Sequence, residues 1–137
     1  MPARIDEKLD RIIKKRFTAS FMSNAKWRKL FIAIDRPELN LNQAVWKFID
    51  SDIEIRGSLT KSDELMEEYV GDYGLGPFAY KHIEWLELPR KGIPHGFEKI
   101  PFKHWEQDIE GAITILKSIG QFELENTDAG VKIYGFK

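Results

Sequence analysis

Cysteine is missing from all 137 residues, which excludes disulfides and thiolate metal sites and suits a reducing compartment. Histidine is scarce. His82, His95 and His104 are the three present, and no two stand three or four residues apart as paired helical metal ligands would. No metal and no cofactor is expected. Nor does any stretch approach the roughly 20 consecutive apolar residues that cross a bilayer, and Met1 to Asp10 lacks the apolar centre of a secretion signal. The chain is therefore expected to be soluble and cytoplasmic, without a membrane partner. Catalytic signatures are missing as well. No Ser lies in a Gly-x-Ser-x-Gly turn, and the glycine-rich run 71–76 lacks the Lys-Ser/Thr ending of a phosphate loop and has acidic flanks. It reads as a structural turn, and no catalytic residue is assigned.

What is present is core material and an uneven spread of charge. Hydrophobic residues make up 42% of the chain, with nine Phe, four Trp and four Tyr, enough for one compact domain and too apolar for general disorder. The net charge of −1 hides a division. Residues 1–36 hold ten Lys/Arg against four Asp/Glu, and residues 37–137 hold eleven against eighteen, so the two parts carry +6 and −7. Such a separation can hold the N-terminal segment against its own body, attract a charged partner, or pair two copies.

Ile5, Leu9, Ile12, Ile13 and Phe17 recur at helical spacing, with acids first and bases last as the helix dipole favours. This predicts an amphipathic first helix. Residues 1–20 read as an N-terminal helical extension, and its stripe of Ile5, Leu9, Ile12 and Phe17 offers an interface to a second copy. Ser23-Asn24 signals another helix start, Trp27, Leu30, Phe31 and Ile34 mark its buried face, and Pro37 ends it near Arg36. Residues 44–49 and 53–57 read as a hairpin. A further strand is predicted over 80–88, closed by Pro89, then an irregular connection through 89–104. A third helix is expected from about Trp105 to Ser118, and a last hairpin from 122–125 and 131–134. Strands outnumber the crossover helices that a parallel sheet requires. The prediction is one α+β domain, with a mainly antiparallel sheet of about five strands and three helices.

Three groups of residues are functional candidates. Lys81, His82 and Glu84 are the set from which a small hydrolase-like site would be assembled beside the Gly-Pro loop. The carboxylates Glu84 and Glu87, odd-spaced on a strand, should face opposite sides and so suit shared acid/base work poorly. Lys14, Lys15, Arg16, Lys26, Arg28 and Lys29, with Trp27 among them, are the pattern of a nucleic-acid surface, although Trp27 also fits the buried stripe. Finally, residues 62–72 carry five acids and no base. Asp63, Glu64, Glu67, Glu68 and Asp72 are candidate electrostatic contacts for another protein, with Tyr69 and Tyr73 as aromatic anchors, against the alternative of a short helix or a solvated loop.

The strings Met22-Ser-Asn-Ala-Lys-Trp-Arg-Lys-Leu-Phe31, Gly76-Pro-Phe-Ala-Tyr-Lys-His-Ile-Glu-Trp-Leu-Glu-Leu-Pro89 and Ile119-Gly-Gln-Phe-Glu-Leu-Glu, closed by Ile133-Tyr-Gly-Phe136, resemble a family of small bacterial proteins of unknown function over residues 22–136. The resemblance implies a stand-alone bacterial cytoplasmic protein and carries no reaction with it. More loosely, the outline is similar to immunity proteins that neutralise bacterial toxins by covering their active sites. An acidic face suits a toxin that grips nucleic acid through a basic groove. The expected role is that of a non-catalytic protein-binding domain, with a toxin as the sharpest partner, a second copy as another, and nucleic acid and catalysis as the alternatives.

Overall fold

The computed structural model describes residues 3–71, 77–93 and 104–137, with side chains from residue 7 onward. Helix α1 spans Ala3–Arg16, α2 Asn24–Ile34 and α3 Ile109–Ile119. Strands β1 (Gln43–Phe48), β2 (Glu54–Ser58), β5 (Ile83–Pro89), β8 (Leu124–Asn126) and β9 (Gly130–Tyr134) form one sheet. Their order is β2-β1-β5-β9-β8, antiparallel throughout. Two short ladders flank it, β3 (Tyr69–Val70) with β4 (Phe78–Ala79) and β6 (Lys91–Gly92) with β7 (Trp105–Glu106). The α+β class and the antiparallel five-stranded sheet read from the sequence are those observed.

Alternation along the strands decides where the core lies. Ala44, Trp46 and Phe48 of β1, Leu86 and Leu88 of β5, and Val131 and Ile133 of β9 point to one face. There they meet Trp27, Leu30, Phe31 and Ile34 of α2 and Ile109, Ala112 and Leu116 of α3. The α2 set follows the i, i+3, i+4, i+7 spacing of one helix face. Ser23 caps α2 by accepting from Lys26 N–H at 3.1 Å, and Trp27, Phe31 and Trp46 stack in series.

The first helix is less separate than its sequence suggests. Leu9 is 2% exposed and packs with Ile49, Ala79 and Phe136, while Ile12, Ile13 and Phe17 pack against that group. The strap after α1 is stitched to the chain's last residues: Thr18 and Ala19 N–H donate to Lys137 O at 2.8 and 2.9 Å, and Phe21 N–H donates to Gly135 O at 2.9 Å.

Two element starts differ from expectation by several residues. Tyr80–His82 forms a turn of 3-10 helix instead of opening the strand, because the Tyr80 hydroxyl is drawn inward to donate to Met66 O at 2.7 Å. The third helix starts at Ile109, with Asp108 as its cap accepting from Gly111 N–H at 2.9 Å. Trp105, expected on that helix, belongs to β7. The cause is Gln107, 4% exposed, whose Oε1 accepts from Asn42 N–H, Gln43 N–H and Trp105 Nε1–H and whose Nε2 donates to Gln43 O and Pro89 O. The backbone here is committed to the same neighbours, since Gln107 N–H donates to Arg90 O at 2.7 Å and Asp108 N–H to Leu39 O at 2.9 Å, so the helix begins after them. Gly92 completes this corner, since a Cβ there would stand 1.9 Å from the Trp105 ring.

Candidate functional site

The face of the sheet away from α2 and α3 carries the opposite alternation. Register places Glu54, Lys47, Trp85 and Tyr134 in one row across β2, β1, β5 and β9. Arg56, Val45, Glu87, Lys132 and Glu125 form the next row. The β1–β5 register shifts between Lys47 and Phe48, so Glu84 is an extra, bulged residue. That bulge overturns the expectation that Glu84 and Glu87 face opposite sides. Both lie on the charged face, and both carboxylates raise the Tyr134 phenol above its ordinary value, after burial and a hydrogen bond to Glu125 at 3.1 Å.

The charges at the centre of this face, on β1, β5 and β9, are matched. Lys47 Nζ donates to Glu84 Oε1 at 3.0 Å and to Phe48 O at 2.9 Å, and Arg16 approaches Glu84 at 3.7 Å. Glu87 accepts from the Thr127 hydroxyl at 2.8 Å, which in turn accepts from Gly130 N–H. Lys132 Nζ sits 4.0 Å above the Trp85 ring, a cation–π contact that covers an otherwise exposed indole. Such matching holds a sheet face together.

The hydrolase-like set does not converge. Lys81 pairs with Asp10 of α1 at 3.1 Å, and His82 Nε2–H donates to Asp50 at 2.6 Å after β1. Glu84 turns to Lys47, so three neighbours in sequence address three different elements. His82 also lies against the Phe48 ring. No group of three metal-ligating side chains occurs among the described residues, and His95 lies outside them.

Most of the basic pattern is likewise spent on the chain itself. Arg16 donates to Ile49 O, Lys26 to Phe21 O, Arg28 to Glu67 O and Lys29 to Ile119 O. Trp27 is buried. Lys14 and Lys15 stay exposed on the outer face of α1 beside Lys8 and Arg11. The α1 stripe has also found its cover within the chain through Leu9, Ile12 and Phe17. The Ile5 side chain lies outside the described residues.

The acidic run adopts defined structure. Ser62–Glu64 is one 3-10 turn, tied to α2 because Ser62 N–H and Oγ–H both donate to Asp35 Oδ2, at 2.9 and 2.7 Å. These bonds, with Lys61 nearby, hold the Asp35 carboxyl below its ordinary range. Glu64 departs from its expected role as a contact. It is 9% exposed and folds back to accept from Lys61 N–H at 2.8 Å. The next residues close a tight hairpin, with Leu65 bridged to Val70 and Met66 N–H donating to Tyr69 O, so that Glu67 and Glu68 occupy its tip. Asp63, Glu67, Glu68 and Tyr69 are exposed. Asp72 and Tyr73 lie outside the described residues.

Two residues of this ridge escaped sequence reading. Met66 is 47% exposed and Ile32 57%. Ile32 stands between Arg28 and Asp35 on one face of α2, and both neighbours touch the acidic segment. The available signal was its position, an apolar residue lying off the Trp27–Leu30–Phe31–Ile34 stripe.

Neither the curated proteins nor the solved structures contain a match to this chain, and the looser likeness to toxin-immunity proteins has no counterpart in these comparisons. One family does match, over residues 9–137, a span that takes in half of α1 as well as the segments that carried the resemblance. The chain belongs to DUF6678, a family of unknown function.

Proposed function

We propose that this chain is a non-catalytic protein-binding domain, and that it docks its partner on the ridge built by Ile32 of α2 and residues 63–69. One observation carries the reading: Ile32, Met66 and Tyr69 are exposed and are bracketed by Asp63, Glu67 and Glu68 on a turn pinned at both ends. Apolar anchors inside a charged rim are the anatomy of a protein interface, where the anchors supply affinity and the rim supplies orientation and on-rate. The pinning matters because a pre-ordered loop loses little conformational entropy on binding. The acidic rim selects a partner with a basic surface. Covering the basic groove of a nucleic-acid-cleaving toxin is the most specific form of this reading, and the rim alone supports it.

A photo-crosslinking residue placed at Met66, with Thr114 on the exposed side of α3 as control, tests the surface in the native cell. The purified partner is then titrated against wild type and Glu67→Lys/Glu68→Lys. We expect an adduct at position 66 only, and binding weakened about tenfold or more by the double reversal, with strong salt dependence. Equal adducts at both positions, or unchanged affinity, would remove the ridge as the docking surface.

A further inference from the structure

The two edges of the main sheet differ in a way that bears on self-association. At one edge Glu123, just before β8, and Glu125 within it lie on the charged face, two residues of like sign. At the other, β2 presents Glu54 and Arg56, of opposite sign, and both are exposed. Ile53, just before β2, is the most exposed large apolar residue described, at 69%.

The phase of the β2 backbone is fixed. Leu59 N–H donates to Asn42 O at 3.1 Å, and the β1–β2 register pairs Ala44 with Gly57 and Trp46 with Ile55. Hydrogen-bonded pairs alternate along an antiparallel ladder. The N–H and C=O of Ile55, Gly57 and Leu59 therefore face β1, and those of Glu54 and Arg56 point out of the sheet. A strand edge left unpaired among the described residues is a template for another strand.

We infer that two copies of this chain join β2 to β2, antiparallel about a two-fold axis at Ile55, into one continuous sheet. In that register the outward groups of Glu54 bond those of Arg56 in the second copy, and the converse. The side chains agree with the backbone. Glu54 faces Arg56 of the second copy twice on the charged face, Ile55 faces its own counterpart on the apolar face, and Ile53 comes opposite Gly57. A register centred on Arg56 would also satisfy the backbone, but it sets guanidinium against guanidinium, which is unfavourable across strands. Glu54 has no ion pair among the described residues. Arg56 donates to Gln43 Oε1 at 2.9 Å and to Lys91 O at 3.4 Å, and a guanidinium keeps further N–H groups for a carboxylate. At the β8 edge Tyr134 N–H donates to Glu123 O, so Glu125 faces β9 in the same way, and the equivalent register, centred on Glu125, sets that carboxylate against its own counterpart. The interface is isologous and closed, so association stops at two.

Sedimentation velocity on the full chain, over a dilution series, tests the pairing. Wild type should run as a dimer that dissociates on dilution. Glu54→Arg or Arg56→Glu alone should weaken it roughly tenfold or more, since each turns two attractive pairs into repulsive ones. An equimolar mixture of the two variants should restore a dimer, because the first then carries two bases against the two acids of the second. Directly opposed non-hydrogen-bonded residues have Cα atoms about 4.5 Å apart, within the disulfide range of roughly 4.4–6.8 Å. In a chain without cysteine, Ile55→Cys should therefore give a covalent dimer on mild oxidation, whereas Ile53→Cys should not. Circular dichroism confirms that the variants fold. A wild type that stays monomeric at every concentration, a dimer indifferent to both reversals, or no recovery in the mixture would overturn the inference.

Discussion

The two faces of the same five strands are held by different physics. On the face under α2 and α3, alternate residues such as Trp46, Leu86 and Ile133 are fully buried and owe their order to shape and apolar area. On the other face Lys47, Glu84, Glu87 and Lys132 owe theirs to specific partners at hydrogen-bonding or cation–π distance. The first face should tolerate apolar substitutions that preserve volume. The second tolerates only changes that keep both members of a pair, or remove both. A single sheet can thus carry its stability on one side and its uniqueness on the other.

The largest effect should come from the apolar face. Trp46→Ala removes a fully buried ring that stacks with Phe31 and Phe48 and meets Phe78 edge-on. We expect a loss of about 3–5 kcal/mol, read as a lower urea midpoint with an unchanged slope. A loss below about 1 kcal/mol would mean that α2 and α3 do not depend on this face as described.

A charge change should sharpen the contrast. Glu84→Ala leaves the Lys47 ammonium, whose side chain is 11% exposed, without its carboxylate, and we expect a cost of about 1–3 kcal/mol. The double variant Lys47→Met/Glu84→Met removes both charges and should recover most of that cost. Thermal or chemical unfolding of the three proteins reads the cycle. If the double variant proved as unstable as the single one, the pair would be contributing net attraction beyond mutual neutralisation.

How much of this was legible beforehand follows from the range of the forces involved. Helix α2 could be read because its signals are local: Ser23 as cap, the Trp27–Ile34 stripe and Pro37 as stop lie within one short window. The hairpins and the sheet class followed from period-two alternation for the same reason. The start of α3 could not be read, since Gln107 is held by Asn42, Gln43 and Pro89, partners distant in sequence. Glu84 was misplaced because a bulge shifts alternation by one residue and leaves no mark in composition. Of the candidate ridge, Asp63, Glu67, Glu68 and Tyr69 were legible as a run of acids with an aromatic. Glu64 was assigned outward because nothing in the run shows that it folds back onto Lys61, and Ile32 joins the ridge only through tertiary packing.

The smallest expected effect concerns the junction between that ridge and the body. Asp35 accepts two bonds from Ser62, which lower its pKa in the folded state. The folded form therefore favours the ionised carboxylate more than the unfolded chain does. The stabilisation is complete well above the ordinary carboxylate value of about 4 and fades as pH falls through the lower folded value. Asp35→Ala should cost about 1 kcal/mol at neutral pH, and the gap between variant and wild type should narrow steadily below about pH 4. Amide exchange adds the spatial test. Ser62, Glu64 and Met66 N–H should exchange faster in the variant while the β1–β5 ladder is unchanged. Exchange quickening uniformly through the sheet would show that Asp35 supports the whole fold, and the ridge would then be part of the apolar core's cooperative unit instead of a separately pinned surface.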